Sequence, residues 1–299
     1  MSAIMIDDLH RAFGPVEAVR GVSITIDEGE LYGLLGPDGA GKTTTIGCLA
    51  GLMKPDAGSV RVIGENPMAR RSKAREHLGL MPQEYSLYGD LTIAENLSFF
   101  GQLFGLSKRS FTGRRDRLME ITRLGRFLDR RADALSGGMY KKLALSCALL
   151  HEPSVLLLDE PTNGVDPVSR RELWELIYDF VSDGMAVLVS TPYMDEASRC
   201  HRVGLMHEGR IVAEGAPSDL TDRLEHDVVE VIGGDREAVH AVLRQRRDIV
   251  VAASPAGARL RAVLLPGTRS TLAESLPADV TLKPVPPDFE DLFLARTAA

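Results

Sequence analysis

Hydrophobic and polar positions follow two periods along the chain, and each predicts its own kind of element. Val22, Ile24 and Ile26 alternate with polar neighbours, which is the pattern of an antiparallel strand with one buried face. Leu31–Leu35, 155–158 and 186–189 are instead short apolar runs bounded by Gly, Asp or Thr. Such runs predict central strands covered on both faces of a mostly parallel sheet. Helical patterns separate them around 42–51, 92–104, 114–128, 137–150 and 168–182. Strands alternating with helices in this order predict an α/β fold with right-handed crossovers.

Beyond Gly215 the texture changes. Residues 217–224 predict a short helix with Ser218 as its cap. The runs 228–232, 237–244, 249–252, 260–264, 271–276 and 280–285 then read β-α-β-β-α-β. The turn formers Gly233-Gly234, Pro255 and Pro266-Gly267 lie between them. This predicts a small α+β ferredoxin-like domain over 226–299, following a larger domain over 1–225.

Charge and composition narrow the function. Across 299 residues, 35 Lys and Arg stand against 42 Asp and Glu, a net charge of −7. Nucleic acid is therefore not an expected partner, because phosphate neutralisation needs clustered cations. The stretch 108–131 holds nine Lys or Arg against three Asp or Glu. Leu118, Ile121, Leu124 and Leu128 recur within it at helical spacing, so its charges read as the outer face of an amphipathic helix. No apolar run approaches the ~18 residues of a membrane span, so direct membrane insertion is not expected. The first residues carry acids where a secretion signal carries lysines. Cys48, Cys147 and Cys200 are too scattered for a disulfide framework or a zinc site and read as buried thiols. A cytoplasmic location follows.

Three segments carry chemistry. Gly36-Pro37-Asp38-Gly39-Ala40-Gly41-Lys42-Thr43 fits G-x-x-x-x-G-K-[ST], follows a buried strand and opens a helix. Its glycines let successive backbone N–H groups and a helix N-terminus face phosphates. Lys42 supplies a point charge for the β- and γ-phosphates, and Thr43, with Thr44 next to it, a hydroxyl for Mg²⁺. Residues 155–160 form an apolar strand ending in Asp159 and Glu160. Asp159 is placed to hold Mg²⁺ through water, and Glu160 to polarise an attacking water as general base. Ser136, Gly137 and Gly138, in Leu-Ser-Gly-Gly-Met, precede a helical run that Ser136 can cap, which makes a second anion site.

In this order and spacing the three segments resemble those of the ATP-binding cassette (ABC) ATPases, from about residue 3 to 225. Leu135 opens the second anion segment 93 residues after Lys42 and just ahead of the acid-ended strand, which separates this family from other P-loop proteins. The resemblance implies an ABC-type P-loop NTPase with an antiparallel β subdomain and a helical subdomain over about 84–150. It implies that Gln83 is the Q-loop glutamine, contacting Mg²⁺ and lying where a membrane subunit docks. Phe13 falls where the family stacks an aromatic on adenine, with ordinary core packing as the alternative. Gly164-Val165-Asp166 matches the D-loop. Two cassettes of this family dimerise head to tail, so Ser136, Gly137 and Gly138 would close over ATP held by a partner's P-loop. Catalysis would then rest on Glu160, Lys42 and Gln83, and Mg²⁺ on Thr43, Gln83 and Asp159. The run from Tyr88 to Leu97, the LSGGM ending and the tail from Pro287 to Phe293 look most like ABC-2-type exporter ATPases, including the daunorubicin-resistance type. Such proteins often carry an accessory C-terminal domain.

Three positions depart from the family pattern. Asp38 stands for the usual Asn and adds negative charge beside a polyanion, which weakens ATP binding modestly. Met139 stands for Gln. In Ser190-Thr191-Pro192-Tyr193-Met194-Asp195-Glu196, Pro192 takes the place of the histidine that contacts the γ-phosphate. Proline offers neither a side-chain hydrogen bond nor a backbone N–H. The expected protein is the Mg-ATP-hydrolysing subunit of a multidrug-type ABC exporter, peripheral on the cytoplasmic face of the cell membrane. Its expected partners are an ABC-2-type permease and a second cassette, more readily a different chain than a copy. Two alternatives stay open: a catalytically weakened regulatory cassette in a heterodimer, and a soluble non-transport ABC ATPase.

Overall fold

Two long strands, β1 (Ser2–Phe13) and β2 (Val16–Asp27), open the chain and pair antiparallel. The alternation in β2 is that of its burial, with Val22, Ile24 and Ile26 inside and Ser23 and Thr25 exposed. Then follow β3 (Leu31–Leu35), α1 (Lys42–Leu49), β4 (Ala57–Val62), β5 (Leu78–Met81), α2 (Ile93–Leu103) and α3 (Lys108–Thr122). After them come α4 (Gly137–Leu149), β6 (Val155–Asp159), α5 (Pro167–Ser182), β7 (Ala186–Thr191), β8 (Arg202–His207) and β9 (Arg210–Gly215). The remainder is α6 (Pro217–Asp222), β10 (Asp227–Ile232), α7 (Arg236–Gln245), β11 (Val250–Ala256), β12 (Arg259–Leu264), α8 (Arg269–Ala273), β13 (Thr281–Pro284) and α9 (Phe289–Thr297). This computed structural model describes residues 2–84 and 86–298. The chain separates into two units, Met1–Ile211 and Val212–Ala299, with the division inside β9.

In the first unit, β2-β1-β4 form an antiparallel sheet, and a second sheet runs β5-β6-β7-β3-β8-β9. The pairs β5–β6, β6–β7, β7–β3 and β3–β8 are parallel. Every residue of β3, β6 and β7 is buried, as expected of strands covered on both faces. The core joins the two sheets through Ile24, Ile26, Tyr32, Leu34, Leu157 and Leu188, with Ile46 and Leu49 of α1 between them. Because the central strands run parallel, the chain leaves β3, β6 and β7 at one edge, and the chemistry-bearing loops begin there.

The helix expected at 114–128 is shifted. It starts at Lys108, where the Ser107 side chain accepts from Ser110 N–H, and stops at Thr122 because Arg123 turns left-handed at φ 59°. Leu124 is nonetheless buried and Leu128 half-buried, because a 3₁₀ turn at Gly125–Phe127 carries the apolar spacing past the helix end. Ser218 does not cap α6; Ala216 holds that position with no side-chain bond, and Pro217 at the first helical position sets the start. All three cysteines are buried free thiols. Burial pushes Cys48 up to about 11 and Cys200 up to about 12, and raises Cys147 as well.

The second unit is one antiparallel sheet ordered β11-β12-β10-β13, with the first and third strands in the centre. Leu260, Ala262 and Leu264 of β12 meet Val239 and Leu243 of α7 and Leu272 of α8 in one core. Arg261 points to the other face, as the period of two requires. There it holds the buried Asp291 carboxylate of α9 through both Nε and a terminal nitrogen. Helix α9 is started by a reciprocal box in which Asp288 accepts from Asp291 N–H and Asp291 accepts from Asp288 N–H.

Candidate functional site

The apolar strand β3 delivers the chain into the 36–41 loop, whose glycines are needed for two reasons. A Cβ at Gly36 would stand 2.2 Å from the Met206 carbonyl oxygen, and one at Gly41 would stand 2.2 Å from that of Ala18. Gly41 also has φ +108° and Gly39 φ +79°, conformations that L side chains rarely adopt. Helix α1 begins at once, with no side-chain cap on its first N–H groups. Those donors are left to an anion. Pro37 is half-buried, Asp38 and Gly39 are exposed, and Ala40 is buried beneath the loop. Thr43 is exposed on the first turn of the helix and Thr44 half-buried.

Lys42 folds back over this loop and is almost wholly buried. Its Nζ donates to the carbonyls of Gly36 at 2.8 Å and Pro37 at 3.1 Å. It also stands 3.5 Å from Glu160 Oε1. On strand β6, separated from β3 by β7, Asp159 is buried and accepts from the Ser190 hydroxyl of β7. Glu160 follows at φ +49°, an uncommon conformation for a residue with a side chain. Its N–H is fixed by Ser190 Oγ at 3.0 Å and the Ser190 carbonyl at 3.2 Å.

Two amides converge on the other oxygen of that carboxylate. Glu160 Oε2 accepts from Gln83 Nε2 at 2.9 Å and from Asn163 Nδ2 at 3.2 Å. Lys141 of α4 ties the same segments together, donating to the carbonyls of Gln83 at 3.3 Å and Glu160 at 3.4 Å. Burial lowers the Lys141 pKa, while the charges of Glu160 and Asp159 oppose that shift. Two buried carboxylates therefore face two lysines, which suits a charge-compensated pocket at the strand ends.

Ser136, Gly137 and Gly138 take a different place. Ser136 caps α4 by accepting from Met139 N–H at 3.4 Å. A Cβ on Gly138 would lie 2.3 Å from the Ser169 side chain, and one on Gly137 3.0 Å from the Gly164 carbonyl. The segment thus lies against residues 164–169, where Asp166 caps α5 through Val168 and Ser169 N–H, both at 3.0 Å. Hydrogen bonds from Ser169 hold the Asp166 carboxyl below its usual range. Ser136 and Gly137 remain exposed. Phe13 is 45% exposed at the end of β1, with the Arg11 guanidinium 4.7 Å above its ring, which overturns core packing as its role.

Past Pro192, Tyr193 is held on several sides. Its N–H donates to Thr191 Oγ1 at 3.1 Å, and its ring lies 4.5 Å from the Arg170 guanidinium. Its hydroxyl donates to Asn163 Oδ1 at 3.3 Å. Thr191 donates in turn to the buried Glu196, which also accepts from Trp174 Nε1. The sequence reading missed Asn163, Lys141 and Ser190. The available signals were that Asn163 follows Glu160 by three residues, and that Ser190 stands next to the end of a strand of the same buried type as β6.

Similarity to known proteins agrees with this geometry. Residues 19–163 match a family model described as ABC transporter. A protein described as probable multidrug ABC transporter ATP-binding protein YbhF, of Escherichia coli strain K12, is 46% identical over 225 residues, 75% of this chain. The match spans only 39% of that relative's length. The Nod factor export ATP-binding protein I of Paraburkholderia xenovorans strain LB400 is 39% identical over 99% of this chain and 97% of its own. Among solved structures, one titled as the ATP binding subunit of an ABC transporter is 31% identical, with a TM-score of 0.68, over 74% of this chain and 92% of that one. Another, cbiO1 of Clostridium perfringens, described as part of the ABC transporter complex cbiONQ, is 25% identical with a TM-score of 0.68 over 83% of this chain and 96% of that one.

Proposed function

The chain belongs to the ABC transporter ATP-binding cassettes, and from that premise we propose that it binds and hydrolyses Mg-ATP to drive export through a separate membrane permease. The observation that carries the proposal is the buried Lys42–Glu160 pair, flanked by the amides of Gln83 and Asn163, beside an uncapped helix N-terminus. The loop N–H groups and Lys42 bind the phosphates. Glu160 Oε1 takes a proton from water as the water oxygen bonds the γ-phosphorus and the bond to ADP breaks. The donors around the site are a hydroxyl, a carboxylate and an amide oxygen, a hard-oxygen set that suits Mg²⁺. Thr43, Asp159 and Gln83 would hold that ion, which supplies charge stabilisation at the phosphates when bound.

Among the described residues, no helix is long and apolar enough to cross a membrane. One surface feature supports the transporter assignment. On the 83–104 surface, residue 85 lies outside the described residues, but Tyr88 (48% exposed), Phe99 (38%) and Leu103 (66%) form an apolar face beside the glutamine loop. Tyr88 and Phe99 pack edge to face at 4.7 Å. A permease segment is the occupant this face suits. Ser136–Gly138, with Ser136 and Gly137 exposed, would complete the nucleotide site of a second cassette. Residues 226–299 are proposed as an accessory domain. Pro192 favours a second reading, a slow regulatory cassette paired with a different, faster one.

The test is to purify the full chain from its host membranes. Recovery with a polytopic membrane protein, and ATP turnover raised by that partner, are expected. A chain recovered alone, with turnover unaffected by its host membranes, contradicts the transporter reading.

A further inference from the structure

We propose that Tyr193 and Asn163 form a relay that positions Glu160, in a site where Pro192 stands for the family's histidine. The inference rests on the ATPase reading above. Tyr193 Oη donates to Asn163 Oδ1 at 3.3 Å, and Asn163 Nδ2 donates to Glu160 Oε2 at 3.2 Å. The direction matters, because an asparagine amide has one accepting oxygen and one donating nitrogen. With its oxygen taken by the tyrosine hydroxyl, the amide turns its N–H toward the carboxylate, which accepts only. Flipped, it would set an oxygen against a negative charge.

Both ends of the relay are anchored. The Tyr193 ring rests on Arg170 and its N–H on Thr191 Oγ1, while Pro192 fixes the backbone just before it. Thr191 is locked by the buried Glu196. At the other end, Asn163 N–H donates to the Glu160 carbonyl at 3.2 Å, closing a turn around the glutamate. Gln83 and Asn163 together occupy Oε2, so Oε1 beside Lys42 is the oxygen left to receive the water proton. The relay passes no proton. Asn163 and Tyr193 act as positioning residues, holding the carboxylate in one orientation during attack.

The experiment measures kcat and KM for Mg-ATP, and the melting temperature, in the full chain and its variants. Tyr193→Phe keeps the ring on Arg170 and removes only the hydroxyl. Its kcat should fall about fivefold, the effect of one hydrogen bond, with KM and melting temperature unchanged. Asn163→Ala should lose about tenfold or more. Adding Tyr193→Phe to it should cost nothing further, since the hydroxyl acts through the amide. Pro192→His should raise kcat more in the Tyr193→Phe background than in the wild type. Unchanged kcat in Tyr193→Phe, or additive losses in the double variant, overturns the relay and leaves the ATPase reading standing. A wild type no faster than Lys42→Ala overturns both.

Discussion

Lys42 Nζ lies 3.5 Å from Glu160 Oε1, and both side chains are only 4% exposed. The lysine proposed to bind phosphate and the general-base candidate thus share one buried site, although 31 and 155 begin strands on opposite sides of β7 in the sheet. Burial makes their attraction stronger than it would be in water. It also makes each a poor residue to lose alone, because the survivor keeps a buried charge.

Lys42→Ala should therefore lower ATP turnover by about a hundredfold or more, the usual scale for removing a preorganised charge from a transition state. Nucleotide binding measured by calorimetry should weaken in step. Unchanged affinity together with unchanged turnover would defeat the P-loop assignment.

The loop glycines should not respond alike. Gly36→Ala and Gly41→Ala each place a methyl 2.2 Å from a backbone oxygen, so a loss of about 2 kcal/mol or more is expected, as for overpacking. Gly39 meets nothing within 4 Å, and alanine there costs only the strain of its positive φ, about 1 kcal/mol. Chemical denaturation of the three variants distinguishes these cases. Equal destabilisation at all three would contradict the steric reading.

His151 predicts an acid-sensitive term in stability. Its ring stacks on Phe104 at 4.0 Å, Nε2 meets the Leu78 carbonyl, and Nδ1 is buried without a partner. Burial pushes its pKa below the ordinary value, with Arg114 and His77 adding to the shift against the Leu78 bond. The unfolded chain therefore binds the proton first as pH falls below about 6.5. Stability should decline from there until the folded-state pKa is passed. His151→Gln should flatten the fall in melting temperature between about pH 7 and 5.5, above the range where most carboxylates titrate. An unchanged slope in that variant contradicts the assignment.

In the second unit, Asp291→Ala removes the carboxylate that Arg261 grips and the reciprocal cap of α9. Breaking one side of a buried pair costs about 3 kcal/mol or more. Hydrogen exchange should show α9 and β12 losing protection before the rest of that sheet. Retained protection would show that the pair contributes little.

What was legible in the sequence was local. Uninterrupted apolar runs marked β3, β6 and β7, and the 36–43 motif marked its loop because its residues are contiguous. The shift of α3 was hidden because Leu124 and Leu128 keep helical spacing after Arg123 has ended the helix. Phe13 could not be assigned from one aromatic, since only the sheet's edge decides its exposure. Asn163, Lys141 and Ser190 were missed for another reason. Lys141 meets Glu160 from 19 residues away and Ser190 meets Asp159 from 31, while Asn163 reaches Glu160 through a turn that the fold closes.

The most direct test of the account separates binding from chemistry at Glu160. Glu160→Gln keeps the shape of the side chain but removes the carboxylate proposed to accept the water proton. Mg-ATP affinity and single-turnover hydrolysis should be measured on the full chain and this variant side by side. The account predicts retained ATP binding with hydrolysis reduced by about a hundredfold or more. Hydrolysis at the wild-type rate in Glu160→Gln would contradict it.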